Sequence, residues 1–165
     1  MSSDTESGLP NIAEVLSRVL QRVPRERQPL LIALAERLAA ERYRGWAADP
    51  ANARRRAELL ACAAREEDIA GRIEGLYPNA GEVQREITAH NPDLEEINRS
   101  LFAGRPLREQ FAIQANGERL GAATWRAFAQ QAPSAGARAT FLACADLEEA
   151  SAAVLESYLA SGGDA

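Results

Sequence analysis

The sequence predicts an all-α protein built from two similar helical hairpins, and three observations carry that expectation. Alanine, leucine, glutamate and arginine dominate the 165 residues while β-branched residues are scarce, which favours helix over strand. The strong breaks fall at Pro24, Asp49-Pro50, Tyr77-Pro78-Asn79, Asn91-Pro92, Gly104-Arg105-Pro106 and Pro133, leaving four long uninterrupted segments. Residues 36–77 also reappear without a gap as residues 118–159, an offset of 82, with 17 identities over 42 positions. Glu36-Arg37-Leu38 aligns with Glu118-Arg119-Leu120, Leu60-Ala61-Cys62-Ala63 with Leu142-Ala143-Cys144-Ala145, and Glu66-Glu67 with Glu148-Glu149. An in-register match of this kind marks an internal duplication.

Taken in order, residues 1–10 are polar and expected to be disordered. Residues 11–23 read as a short amphipathic helix with Ile12, Val15, Leu16, Val19 and Leu20 on one face, which should pack on the other helices or on another subunit. Long helices are predicted over 27–48, with Pro29 tolerated in the first turn, and over 52–76, 107–131 and 134–160. The first two form hairpin 27–76 and the last two form hairpin 107–160. Between them, the crossover 77–106 holds short helical patterns at 81–89 and 92–102, interrupted at Asn91-Pro92. A connection of that length can run the length of a bundle, so the second and third long helices need not be neighbours and a two-fold axis can relate the halves. Gly162-Gly163 ends the last helix, and 161–165 form a short tail. Residues 11–160 thus suit one domain.

Composition excludes several classes of function. Acidic residues number 24 against 19 basic, and a net charge of -5 gives no general attraction to nucleic acid or to an anionic membrane. Charged residues interrupt every apolar run before the ~18 residues a membrane span requires. Two cysteines are too few for a secreted disulfide scaffold, and residues 1–10 carry no hydrophobic signal segment, so a cytoplasmic location is expected. No nucleotide-binding loop or nucleophile triad is present.

The chemistry-bearing residues are glutamates on apolar stripes. Leu59, Cys62, Glu66, Ile69, Ile73 and Leu76 recur every three or four residues, so Glu66 faces the core; Phe141, Cys144, Glu148, Ala152, Leu155 and Leu159 do the same for Glu148. Glu118 lies among Phe111, Ala115, Ala122 and Trp125, and Glu36 lies near Ile32, Ala39 and Tyr43 toward the edge of a broad apolar face. Four unpaired buried carboxylates would repel one another and lose hydration, at several kcal/mol per ion. Metal ions, shared protons, or inward-reaching arginines such as Arg37, Arg119, Arg44 and Arg126 are the available neutralisers.

One glutamate on the first and third long helices, with Glu-x-x-His on the second and fourth, is the ligand set of ferritin-like di-iron carboxylate bundles. The chain resembles that superfamily, and within it the rubrerythrin-like proteins. The resemblance rests on Glu118 with Trp125 seven residues later, then Phe128-Ala129, and on Phe141-Leu-Ala-Cys-Ala-Asp-Leu-Glu148. Glu36, Tyr43 and Leu59-Leu-Ala-Cys-Ala-Ala-Arg-Glu66 carry it more weakly in the first half. It covers the four long helices and implies a ferritin-like four-helix bundle. Both motif histidines are replaced, by Ile69 and Ser151, and the sole histidine, His90, falls in the crossover and is expected to be exposed. Isoleucine cannot bind a metal and serine is a poor iron ligand. A rubredoxin-type Cys-x-x-Cys pair is absent as well.

Two functions follow from the resemblance. One is a rubrerythrin-related protein with a degenerate dimetal site and no cofactor, acting as a non-catalytic binding or structural module and dimeric through the N-terminal helix. The other is a carboxylate-only oxidoreductase that binds iron or manganese through Glu36, Glu66, Glu118 and Glu148 for oxygen or peroxide chemistry, with Tyr43, Trp125 and Ser151 just behind the acids. The residues also admit plainer roles. Tyr43 and Trp125 can be packing aromatics. Cys62 and Cys144 read as small core residues, because a transverse two-fold axis separates them beyond the ~7 Å Cα limit of a disulfide. Glu67 and Glu149 are expected to pair with arginines on neighbouring helices. Arg25-Glu26-Arg27, Arg42-Tyr43-Arg44 and Arg54-Arg55-Arg56 read as solvated faces or helix ends.

Overall fold

The computed structural model describes residues 8–162, and every regular element among them is helical. Residues 1–7 of the segment expected to be disordered, and residues 163–165 of the tail, lie outside the described range. Seven α-helices run in the order α1 (Ile12–Leu20), α2 (Gln28–Ala48), α3 (Arg56–Glu74), α4 (Ala80–His90), α5 (Leu94–Ser100), α6 (Leu107–Gln130) and α7 (Ala135–Ala160). None of the described helices is long and apolar enough to cross a membrane.

The ends follow local chemistry. Asn11 caps α1 by accepting the Glu14 amide at 3.1 Å, and Ser134 caps α7 by accepting the Ala137 amide at 3.1 Å. Pro29 occupies the first turn of α2, where a missing N–H leaves no helical bond unmade. The α2–α3 connection departs from expectation, since the second long helix begins at Arg56 rather than at Asn52. Pro50 opens a 3₁₀ turn over Pro50–Asn52, and the buried Asn52 donates its side-chain amide to the Trp46 carbonyl at 3.0 Å. That bond holds the turn against the end of α2 before α3 starts. Gly104 precedes α6 with φ of 72°, a left-handed conformation that favours glycine.

α2 packs on α3 and α6 on α7, and the pairs meet chiefly through α3 and α7. α4 and α5 lie against α2, with Val83 and Ile87 of α4 buried, while α1 packs on α6. Ion pairs fasten these additions: Arg22 at the end of α1 reaches Asp93 at 2.8 Å, and Arg27 reaches Glu86 on α4 at 2.7 Å. Two apolar clusters result. One gathers Leu30, Ile69, Ile73, Trp125, Phe141 and Cys144, the other Tyr43, Trp46, Leu59, Cys62, Phe111 and Leu155. On each long helix the inward glutamate falls between residues of the two clusters, so the acids form a polar layer between two apolar cores.

Candidate functional site

All four predicted glutamates are buried: Glu66 is 0% exposed, Glu118 and Glu148 are each 1% exposed, and Glu36, which the sequence placed nearer an edge, is 8% exposed. Carboxylate oxygens of Glu36, Glu66 and Glu148 lie within 4.8 Å of one another. Glu118 stands outside that trio, yet its charge acts on Glu36, Glu66 and Glu148.

Glu66, Glu118 and Glu148 each have a neutral donor. Tyr43 donates its hydroxyl to Glu118 Oε1 at 2.6 Å, and Gln114 donates its amide to the same oxygen at 2.7 Å. Trp125 donates its indole N–H to Glu148 Oε1 at 2.9 Å. Ser151 donates to Glu66 Oε1 at 3.1 Å, while Ile69, its equivalent at the offset of 82, sits in the apolar core. Tyr43, Trp125 and Ser151 thus each hydrogen-bond one of the acids. Two oxygens, Glu66 Oε2 and Glu118 Oε2, are buried without a protein partner.

Burial dominates the titration of the layer. It raises Glu36 to about 7, with Glu118 adding repulsion and hydrogen bonds with Glu66 and Glu148 opposing the rise. Burial likewise pushes Glu66 and Glu148 well above the ordinary carboxylic range, followed by repulsion from Glu118 at Glu66 and from Glu36 at Glu148. Desolvation thus outweighs hydrogen bonding, and protonated carboxyls can donate to neighbouring carboxylates within the layer.

The arginines named as one of the three available neutralisers bond other acids. Arg37 bonds Glu67 and Glu74, Arg44 bonds Glu41 and Glu67, Arg119 bonds Glu156, and Arg126 bonds Glu149. The pairs Arg44–Glu67 and Arg126–Glu149 are related by the offset of 82, as are Arg37–Glu74 and Arg119–Glu156. These side chains are partly exposed, which lets solvent meet the charge that the four acids cannot share. Arg42, which its run in the sequence placed on a solvated face but which is partly buried, and Arg65, which the sequence did not single out, come closer. Arg42 donates to Gln114 at 2.7 Å and lies 3.7 Å over the Phe102 ring, and burial lowers its pKa to about 10. Arg65 donates to Ser151 at 3.0 Å and to the Cys62 sulfur at 3.2 Å. Arg65 meets the layer through Ser151, whereas Arg42 bonds Gln114 and also opposes the rise of the Glu36 pKa by its charge. Their signal in the sequence is asymmetry: Thr124 replaces Arg42 and Leu147 replaces Arg65 at the offset positions.

Gly121 was also missed. A Cβ there would lie 2.4 Å from Glu148 Oε1, so the bare backbone is what lets Glu148 approach α6. The equivalent residue is Ala39, which has a Cβ. Next to the acids, α2 and α6 wall a cleft of about 380 Å³ that α1 and α5 complete, and Glu36, Glu118 and Glu148 reach its surface. Cys62 and Cys144 are free, buried and in different apolar clusters, and His90 is exposed.

The donor set bears on a metal directly. Three carboxylate oxygens within 4.8 Å have the spread that a cation ~2.0–2.6 Å from each permits, and an all-oxygen set suits a hard cation. The fit is to one such ion. A histidine-ligated pair does not fit, because Ile69 has no donor atom and the Ser151 hydroxyl is engaged with Glu66 and Arg65. No protein-family model matches the sequence, and no curated protein or solved structure matches it either.

Proposed function

We propose that the chain is a ferritin-like, rubrerythrin-related four-helix bundle built from two duplicated hairpins, whose dimetal site is degenerate and whose glutamate layer serves a non-catalytic binding module. The observation that carries the proposal is the cleft between α2 and α6, which ends on Glu36, Glu118 and Glu148. Support also comes from the side chains at the motif's histidine positions: Ile69 is packed in the core, and Ser151 holds Glu66 in place of a metal ligand. In this function shared protons, rather than a resident ion, balance part of the charge of the acids. A homodimer is part of the proposal. Because Ile12, Val15, Leu16 and Val19 of α1 line the cleft, such a dimer would use the opposite face of α1, and sedimentation of the purified chain tests it.

A second reading is favoured by the trio of oxygens and by the unpartnered Glu66 Oε2 and Glu118 Oε2. In it the chain is a carboxylate-only oxidoreductase, with Glu36, Glu66 and Glu148 holding iron or manganese. When bound, that metal would supply oxygen or peroxide activation. Glu118 would stay oriented by Tyr43 and Gln114, and Trp125 would keep Glu148 aimed into the layer.

Elemental analysis separates the two, on protein purified without chelator and then offered Fe(II) and Mn(II), beside Glu66→Ala and Glu148→Ala. The binding-module proposal predicts no stoichiometric metal in any sample. One equivalent in the native chain that disappears from both variants overturns it and supports the oxidoreductase.

A further inference from the structure

The walls of the cleft explain what can reach its floor. Ala35 and Ala39 on α2, and Gly117 and Gly121 on α6, all line it, and the offset of 82 maps the first pair onto the second. These small residues flank Glu36 and Glu118, so both helices are thinned where the acids emerge. Farther out the lining is aliphatic, from Val15, Leu16 and Val19 of α1, Leu34 and Leu38 of α2, and Ile97 of α5. Cavities of about 300–1,000 Å³ with apolar walls and a few convergent polar groups are the usual form of a small-molecule site. At ~30 Å³ per water-sized group, this one accepts roughly a dozen non-hydrogen atoms.

The floor selects the polar end of such a molecule. Glu118 is 1% exposed, and its Oε2 has no partner while Oε1 already accepts from Tyr43 and Gln114. Among the described residues, no arginine hydrogen-bonds Glu36, Glu66, Glu118 or Glu148. The nearest cation on this side, Arg42, is engaged with Gln114, Asn98 and the Phe102 ring. A carboxylate or phosphate would face four carboxyl groups there. A neutral head would leave the charge complementarity unused, whereas an ammonium supplies both charge and donors.

We propose that the cleft binds a lipophilic primary amine, its ammonium on the Glu36 and Glu118 carboxyls at the floor and its unbranched apolar tail lying along α1. The proposal rests on the reading of the glutamate layer as free of a resident metal. It adds the ligand class.

The test is calorimetric titration of chelator-treated, full-length protein with n-decylamine, decan-1-ol and decanoate, each below its micelle concentration. The three probes share a tail length and differ in the head. One equivalent of decylamine should bind about tenfold or more tightly than decanol, the difference charge-assisted hydrogen bonds support, and decanoate should not bind. Glu118→Gln should weaken the amine about tenfold. Gly117→Leu, at a position where an added Cβ meets nothing within 4 Å, should fill the cleft and abolish binding. Equal affinity for amine and alcohol in the native chain overturns the proposal even if a variant misfolds. So does absent amine binding, or amine binding that both variants retain. Mn(II) titration of the same preparation keeps the failures apart: metal uptake lost in Glu66→Ala and Glu148→Ala sinks the metal-free reading, and silence toward decylamine in protein that takes up no metal sinks the amine proposal alone.

Discussion

The hairpins α2/α3 and α6/α7 carry the same acids at the same offset, yet they hold them differently. Tyr43 and Trp125 are equivalent positions, but Tyr43 reaches across to Glu118 of the other hairpin while Trp125 bonds Glu148 of its own. On the first hairpin Arg42 and Arg65 approach the layer through Gln114 and Ser151, both of which belong to the second. The second hairpin answers with Gly121, where the first has Ala39. A repeated helical frame thus dictates where carboxylates project, whereas unlike residues around them decide which donor each acid receives. The outer ion pairs are nearly symmetric and the inner hydrogen bonds are not.

The largest test of this contrast is truncation of the equivalent aromatics. Trp125→Ala should cost about 3–5 kcal/mol from the lost packing alone, more once Glu148 Oε1 loses its donor, and should lower the melting temperature by on the order of 10 °C. Tyr43→Ala should cost less, because Gln114 still donates to Glu118. Equal losses on thermal denaturation would mean that packing alone governs both sites.

Titration should give the next largest effect. Glu36 keeps its proton up to about 7 against an ordinary value of 4.5, chiefly because it is buried. Between those values the folded chain binds more protons than the unfolded chain, so stability falls as pH rises. The contribution is complete below 4.5 and lost as pH passes about 7, on the order of 3 kcal/mol for this group at ~1.4 kcal/mol per unit. Glu66 and Glu148, raised farther by burial, extend the decline upward. Denaturant midpoints from pH 5 to 8 check the slope, and Glu36→Gln should flatten it.

Gly121→Ala comes third. Moving Glu148 off the new Cβ should weaken the Trp125 bond and cost about 1–3 kcal/mol, offset by up to ~1 kcal/mol of helix propensity. Ala39→Gly, its mirror, should cost only the propensity, and a chemical-denaturation pair that shows equal losses would remove the asymmetry assigned to Gly121. The smallest effects belong to the outer pairs. Arg37→Ala, which breaks contacts to Glu67 and Glu74, should destabilise slightly more than Arg119→Ala, which breaks one to Glu156, each by less than ~1 kcal/mol because the partners are partly exposed.

Much of the frame was legible before the structure. Breaks at Pro50, Pro78, Pro92, Pro106 and Pro133 located the helices to within a few residues, except where the buried Asn52 delays α3. Three-and-four spacing separated inward Glu66 and Glu148 from outward Glu67 and Glu149, which pair with arginines as expected. Of the three neutralisers the sequence left open, the arginines Arg37, Arg44, Arg119 and Arg126 turn to other acids, because periodicity names the face of a helix and not the reach of a long side chain toward a third helix.

By itself, then, the sequence determined an all-helical chain, the long helices and the four glutamates that face inward, because helix propensity and periodicity are local properties of the chain. The gap between α2 and α6 was decided only by tertiary structure, as were the use of α1 to line it, the gathering of Glu36, Glu66 and Glu148 oxygens into one trio and the contacts of Arg42 and Arg65. Each depends on how far apart two helix axes settle and on which side chains meet across them, quantities that arise only when residues distant in sequence pack together.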